Sequence, residues 1–194
     1  SDGQLTYREL DSLADRLAVA LHRAGIRDET PVAIMLSRGP DYVAAMLAIL
    51  KAGGMIVPLD PAMPQPRVDE ILRQTSTPMV VDEELFAASS SISGAPADYP
   101  AAVVSPEHAA YAIFTSGTTG EPKGVIGTHH ALSAYAHDHI ERVLRPAAMR
   151  LGRPLRIAHA WSFTFDAAWQ PLAALLDGHS VHIIDDDRRR DVLR

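Results

Sequence analysis

Short apolar runs alternate with longer stretches whose apolar residues recur every three or four positions. This alternation constrains the fold more than any other feature. Thr6 and Glu9 have the spacing of a capping box, and behind them Leu10, Leu13, Leu17 and Leu21 mark one face of a helix that Gly25 ends. Residues 31–36 (PVAIML) form an apolar run suited to a buried strand, and 41–52 a second helix stopped by Gly53-Gly54. Residues 55–59 (MIVPL) read as a strand entering a proline-rich turn at 58–66, followed by a helical piece at 68–74 and a short strand at 79–81. Farther along, strands are predicted at 111–114, 125–127, 155–160 and 180–184, with helices at 130–144 and 167–176. Parallel strands need crossover connections, and helices usually supply them. The expected fold is therefore α/β: a layered, mostly parallel sheet with flanking helices. Residues 87–102, rich in Ser, Ala, Gly and Pro, read as a surface connection.

Composition narrows the function classes. The chain has 194 residues and no cysteine, which removes disulfides, thiolate metal sites and a cysteine nucleophile. A net charge of −6 argues against a nucleic-acid surface. The one basic run, Arg188-Arg189-Arg190, follows Asp185-Asp186-Asp187 and reads as a mixed solvated loop. No run approaches the ~18–20 apolar residues that cross a bilayer. Residues 1–6 lack an apolar signal core, so a cytoplasmic protein with no membrane partner is expected.

The residues that carry chemistry lie between 115 and 124: Thr115, Ser116, Gly117, Thr118, Thr119, Gly120, Glu121, Pro122, Lys123 and Gly124. Glycines let the backbone turn tightly and approach a ligand. Successive N–H groups in such a turn form an anion nest, to which hydroxyls add neutral donors and Lys123 a positive charge. The combination suits a polyphosphate. It is not a Walker A loop, because Pro122 stands where the second glycine is needed and Gly124 follows the lysine.

This string closely resembles the signature phosphate loop of adenylate-forming enzymes: amino-acid adenylation domains, acyl- and aryl-CoA synthetases, and luciferases. Residues 5–10 (LTYREL) resemble the first core motif of the adenylation domains of nonribosomal peptide synthetases, and 50–61 (LKAGGMIVPLDP) the second. Phe165-Asp166 resembles the fourth, which opens the substrate pocket, and His129 with Leu132 fits the pattern after the loop. The resemblance implies that residues 1–194 are the N-terminal part of an adenylation (AMP-binding) domain.

What the resemblance implies for the site is specific. Thr115, Ser116, Gly117, Thr118, Thr119, Gly120 and Lys123 would hold the phosphates of ATP, with catalytic roles for Lys123 and Thr119. Asp166 would pair with the substrate α-ammonium by charge-assisted hydrogen bonds, and its other reading is an N-cap of the following helix. Phe165 would be an aromatic gate or a plain core residue, Ala167 a pocket wall, and Trp169 or Gln170 the next pocket residue. The implied reaction joins an amino acid to ATP as an aminoacyl-adenylate, with Mg²⁺, and passes the acyl group to the phosphopantetheine thiol of a peptidyl carrier domain. An MbtH-like protein is a further partner that the resemblance allows.

The family's ribose clamp, metal-binding glutamate and catalytic lysine lie in motifs downstream of residue 194, so the 194 residues alone are expected to be inactive. An acyl- or aryl-acid-CoA ligase is the alternative within the superfamily, and a non-catalytic nucleotide-binding or interaction module the alternative outside it. His137-Asp138-His139 and His179 with His182 read as surface histidines, with no metal site expected.

Overall fold

In the computed structural model, which describes residues 3–92, 102–116 and 122–185, the chain forms two compact units, 1–129 and 130–194. The first opens on the expected capping box. The Glu9 N–H donates to Thr6 Oγ1 at 3.2 Å, and the Thr6 N–H donates to Glu9 Oε2 at 2.7 Å. Two helix-end amides are thus satisfied reciprocally. The helix that follows, α1 (Tyr7–Arg23), buries Ala14, Leu17, Ala18 and Leu21. It packs against α2 (Pro40–Lys51), where Lys51 Nζ meets Asp11 and Asp15 of α1, each at 2.5 Å.

Strands β1 (Pro31–Ile34), β2 (Met55–Pro58), β3 (Met79–Val81), β4 (Ala109–Ser116) and β5 (Pro122–Thr128) form one sheet in the order β3-β1-β2-β4-β5. The first four are parallel to their neighbours, with Val32 opposite Ile56 and Ala33 opposite Val57. β2 is buried along its whole length, as a central strand covered on both faces must be. Ala33, Val57 and Leu59 pack with Val68 and Ile71 of α3 (Gln65–Thr75). α2 contacts β1 and β2 as well. Only β5 runs antiparallel, to β4. The connection between these two strands is five residues, enough for a hairpin and too short for a parallel crossover.

Two expectations are corrected here. Residues 87–90 are not a surface connection; they complete α4 (Glu83–Ser90), whose start is capped by Asp82 accepting from the Leu85 N–H at 2.9 Å. Residues 93–101 lie outside the described residues. The helix expected at 130–144 is longer and irregular. It runs as α5 (His129–His139), a π-helical turn (Ile140–Leu144) and α6 (Arg145–Leu151). Pro146 has no N–H for the Arg142 carbonyl, and the Arg145 N–H reaches back five residues to Ile140 O.

In the second unit, β6 (Arg156–His159) and β7 (Ser180–Ile183) pair in parallel. Between them lie a 3₁₀ turn (Asp166–Ala168), the short α7 (Trp169–Leu172) and a second 3₁₀ segment (Ala173–Asp177). Pro171 removes the amide that would continue one regular helix here. Ile140 and Leu144 of the π turn pack with Leu155 and Ala174. Arg145 grips Asp177 (Nη2 to Oδ1, 2.8 Å) and also pairs with Glu141. The hydrogen bond from Arg145 holds the Asp177 carboxyl below its usual range.

Replacing Thr6 with Ala removes one half of the capping box. The expected loss is about 1 kcal/mol of folding stability, read as a lower urea midpoint with an unchanged slope; an unmoved midpoint would show that the box contributes nothing.

Candidate functional site

The phosphate-loop residues are carried by the β4–β5 hairpin. Its register sets Ser116 opposite Pro122 and Thr115 opposite Lys123. Directly opposed residues lie on one face of an antiparallel pair, so the hydroxyl of Thr115 and the ammonium of Lys123 share a face. Both are exposed. Gly117, Thr118, Thr119 and Gly120 lie outside the described residues.

Two aromatic rings fix that register. Phe114 stands opposite Gly124 and Tyr111 opposite Gly127. A Cβ on Gly124 would come within 2.9 Å of the Phe114 ring, and one on Gly127 within 2.2 Å of the Tyr111 ring. Each glycine is therefore the floor on which a cross-strand ring lies. Turning and close approach to a ligand are the uses that glycine's local chemistry suggests; this further use, under a ring, follows from the cross-strand register.

At the base of the hairpin the His129 N–H donates to the His108 carbonyl at 3.0 Å. Burial, and then the neighbouring His108, hold the His129 imidazole below its ordinary value. Neutral His129 is thus the form that suits this position.

The substrate-pocket candidates sit in the second unit. Two phenylalanines two residues apart divide the work. Phe163 is buried and stacked on His159, with centroids 4.5 Å apart, whereas Phe165 is 58% exposed. Phe165 is therefore not a core residue. The preceding turn is closed by its own hydroxyls, with Ser162 Oγ and Thr164 Oγ1 2.9 Å apart and the Phe165 N–H donating to Ser162 O at 3.2 Å. This turn delivers Asp166 at the first position of the 3₁₀ turn.

Asp166 is not the N-cap. Phe165 occupies that place, with extended backbone and no side-chain cap. The Asp166 carboxylate is exposed and forms no hydrogen bond or ion pair among the described residues. Its charge is felt by Tyr135 of α5, whose phenol is pushed up first by burial and then by Asp166. Ala167 and Trp169 are half-buried, Ala168 is buried and Gln170 is exposed.

The histidines separate likewise. His179 is buried, its Nδ1 accepting from the Leu155 N–H at 3.4 Å, which corrects its reading as a surface residue. His137 and His182 are exposed. His139 is half-buried and stacked on Tyr135. Among the described residues no three His, Asp or Glu side chains stand close enough to hold a metal ion, and no helix is long and apolar enough to cross a membrane.

The sequence profile of the AMP-binding enzyme family matches residues 1–194. Similar curated proteins include vanchrobactin synthetase VabF of Vibrio anguillarum, 35% identical over 96% of this chain and 7% of that protein. The nonribosomal peptide synthetase otaB of Aspergillus carbonarius is 38% identical over 99% of this chain and 11% of its own length. Among solved structures, the N-terminal subdomain of Klebsiella oxytoca NpsA in complex with 3-hydroxybenzoyl-AMSN has a TM-score of 0.74 at 26% identity, covering 93% of this chain and 47% of that one. The alpha-methyl-L-serine-AMP-bound form of the nonribosomal peptide synthetase FmoA3 has a TM-score of 0.76 at 26% identity, covering 92% and 21%. The chain thus spans a small part of these curated relatives and about half of the NpsA subdomain.

Gly127→Ala puts a methyl group where the Tyr111 ring lies. Overpacking of this kind is expected to cost about 1–3 kcal/mol, measured as a lowered unfolding temperature, and Tyr111→Ala in the same chain should recover part of the loss. An unaltered unfolding temperature in the single variant would show that the ring moves freely aside.

Proposed function

Because the chain belongs to the AMP-binding enzyme family, we propose that it is the N-terminal part of an amino-acid-activating adenylation domain of a nonribosomal peptide synthetase. The observation that carries the amino-acid reading is Asp166: an exposed carboxylate, unpaired among the described residues, beside an exposed aromatic ring. Such a group is complementary to an ammonium, and a fatty or aryl acid has none to offer.

The proposed chemistry divides between the units. Asp166 holds the α-ammonium of the amino acid and so orients its carboxylate. Phe165 and Ala167 border the same substrate, with Trp169 next in the wall. Thr115, Ser116, Gly117, Thr118, Thr119 and Gly120 hold the phosphates, and Lys123 draws off the negative charge that builds as the bond breaks. A substrate carboxylate oxygen bonds to the α-phosphorus, the bond to the bridging oxygen breaks, and pyrophosphate leaves. Lys123 and Thr119 act at this step. In the second half-reaction the thiol of a carrier-bound phosphopantetheine takes the acyl group and AMP departs.

Mg²⁺ would arrive on the phosphates of ATP, where one or two protein ligands suffice and its charge would offset that of the phosphates.

Amino-acid-dependent ATP–pyrophosphate exchange by the full-length parent tests the reading, screened over amino, fatty and aryl acids. Exchange with an amino acid is expected; exchange with fatty or aryl acids alone would move the protein to the CoA-ligase branch. In the same assay Asp166→Asn is expected to raise the amino-acid KM about tenfold to a hundredfold with little change in the KM for ATP. Lys123→Ala is expected to lower kcat about a hundredfold. Equal effects of Asp166→Asn on both substrates would count against its role.

A further inference from the structure

Among the described residues, two that are not glycine hold a positive φ: Ser76 and Glu29. Ser76 ends α3 as its left-handed cap, a common use of that conformation. Glu29 (φ 58°) ends no helix, since α1 stops at Arg23. Any side chain is strained in this conformation, and glycine would fill it more easily. Such strain persists where the surroundings over-determine it, and it often marks a residue whose side chain has a task.

Glu29 is held through its backbone and put to use through its side chain. Its N–H donates to the Gly53 carbonyl at 2.8 Å, just before β2 begins. The turn around it is closed by Arg27 and Thr30: the Arg27 N–H donates to Thr30 Oγ1 at 3.1 Å, and the Thr30 N–H to Arg27 O at 3.0 Å. From this fixed base the carboxylate reaches a strand 80 residues away in sequence, where Glu29 Oε1 accepts from the Ala109 N–H at 2.8 Å. Ala109 is the first residue of β4. A charged acceptor makes this bond stronger than one between neutral groups.

β4 and β5 are joined by seven registered pairs, whereas β4 is registered to β2 at Ile56 with Tyr111 alone among the described residues. The hairpin is thus a stiff unit with one ladder point on the parallel sheet. Ala109 and Ala112 also pack in the core with Val57 and Val68, but apolar burial is non-directional and does not fix where a strand sits along its length. The Glu29 bond is directional. It lies two residues before Tyr111, and two points together set the axial position of β4 and its angle. The six residues from Ala109 to Thr115 span about 20 Å of strand. A tilt of about 3° at the base would move Thr115 and Lys123 by about 1 Å, a misplacement that can cost about a hundredfold in rate.

Resting on the reading of residues 115–123 as the phosphate site, we propose that Glu29 is a positioning residue for that site: its carboxylate, held in a left-handed turn, ties down the base of β4 and so sets where Thr115 and Lys123 meet the phosphates of ATP. Glu29 does not touch the substrates; it acts through the strand.

The test uses the full-length parent, with pyrophosphate exchange for activity and hydrogen–deuterium exchange of the segment containing Ala109 for the bond itself. Glu29→Gly removes the carboxylate and the backbone strain together, so the fold is retained. It is expected to speed exchange of the Ala109 amide about tenfold, to lower kcat about tenfold and to raise the KM for ATP about threefold to tenfold. The amino-acid KM should stay within about twofold, because that substrate is held by the other unit. Glu29→Gln keeps an acceptor oxygen at the same reach and is expected to hold every value within about threefold of the parent. A merely structural residue would leave the two KM values unsplit.

If the parent is active and Glu29→Gly leaves the Ala109 amide as protected as before, leaves kcat and the ATP KM unchanged, or moves both KM values equally, this inference is overturned and the phosphate-site reading stands. If the parent shows no ATP-dependent exchange with any acid, both fall together.

Discussion

Burial of β1 and β2 on both faces is the constraint on which the first unit depends. A strand with no wet face needs a helix on each side, and every connection must then cross from one end of the sheet to the other. The buried faces of α1 and α2 and the opposite layer formed by α3 follow from that requirement. The Lys51 ion pairs then fix how α1 lies against α2. β5 is the one strand that escapes the rule. As an antiparallel hairpin partner it can be reached by a short connection, and this is where the phosphate-loop residues are found.

The two units hold different halves of the proposed chemistry, and they fix their side chains by different means. In the hairpin, cross-strand rings on glycines set a register, and the register sets Thr115 opposite Lys123. In the second unit, alternation between Phe163 and Phe165 does the work. The buried ring anchors the turn on His159, and the exposed one is carried out beside Asp166. Neither device uses a long element, and both are built from residue pairs that any sequence comparison of single positions would pass over.

How much of this is legible in the sequence depends on the range of the interaction. The capping box is a four-residue event and can be read from Thr6 and Glu9 alone. The buried strands announce themselves as apolar runs, and the loop by its glycines, hydroxyls and lysine. α4 is hidden because eight residues with two alanines and two serines among them show little helical pattern; only the Asp82 cap hints at it. The 3₁₀ segments around Pro171 and the π turn before Pro146 are local answers to a missing amide, and the sequence marks the cause without showing which answer is taken. The pairing of Tyr135 with His139 has helical spacing, but the charge that Asp166 brings to bear on the Tyr135 phenol is tertiary and leaves no trace in the spacing of residues 135 and 166.

The π turn has a consequence for how this protein can change. A π turn holds one residue more than the α-helical path it replaces. Deleting a single residue from 140–144 would restore a regular helix and rotate α5 by about 100° relative to α6. Tyr135 and His139 would keep their identities and their stacking, yet face another direction from the segment gripped by Arg145. The angular setting of these two rings is therefore written in the count of residues rather than in their kinds, and insertions or deletions here re-aim them where substitutions leave their direction unchanged.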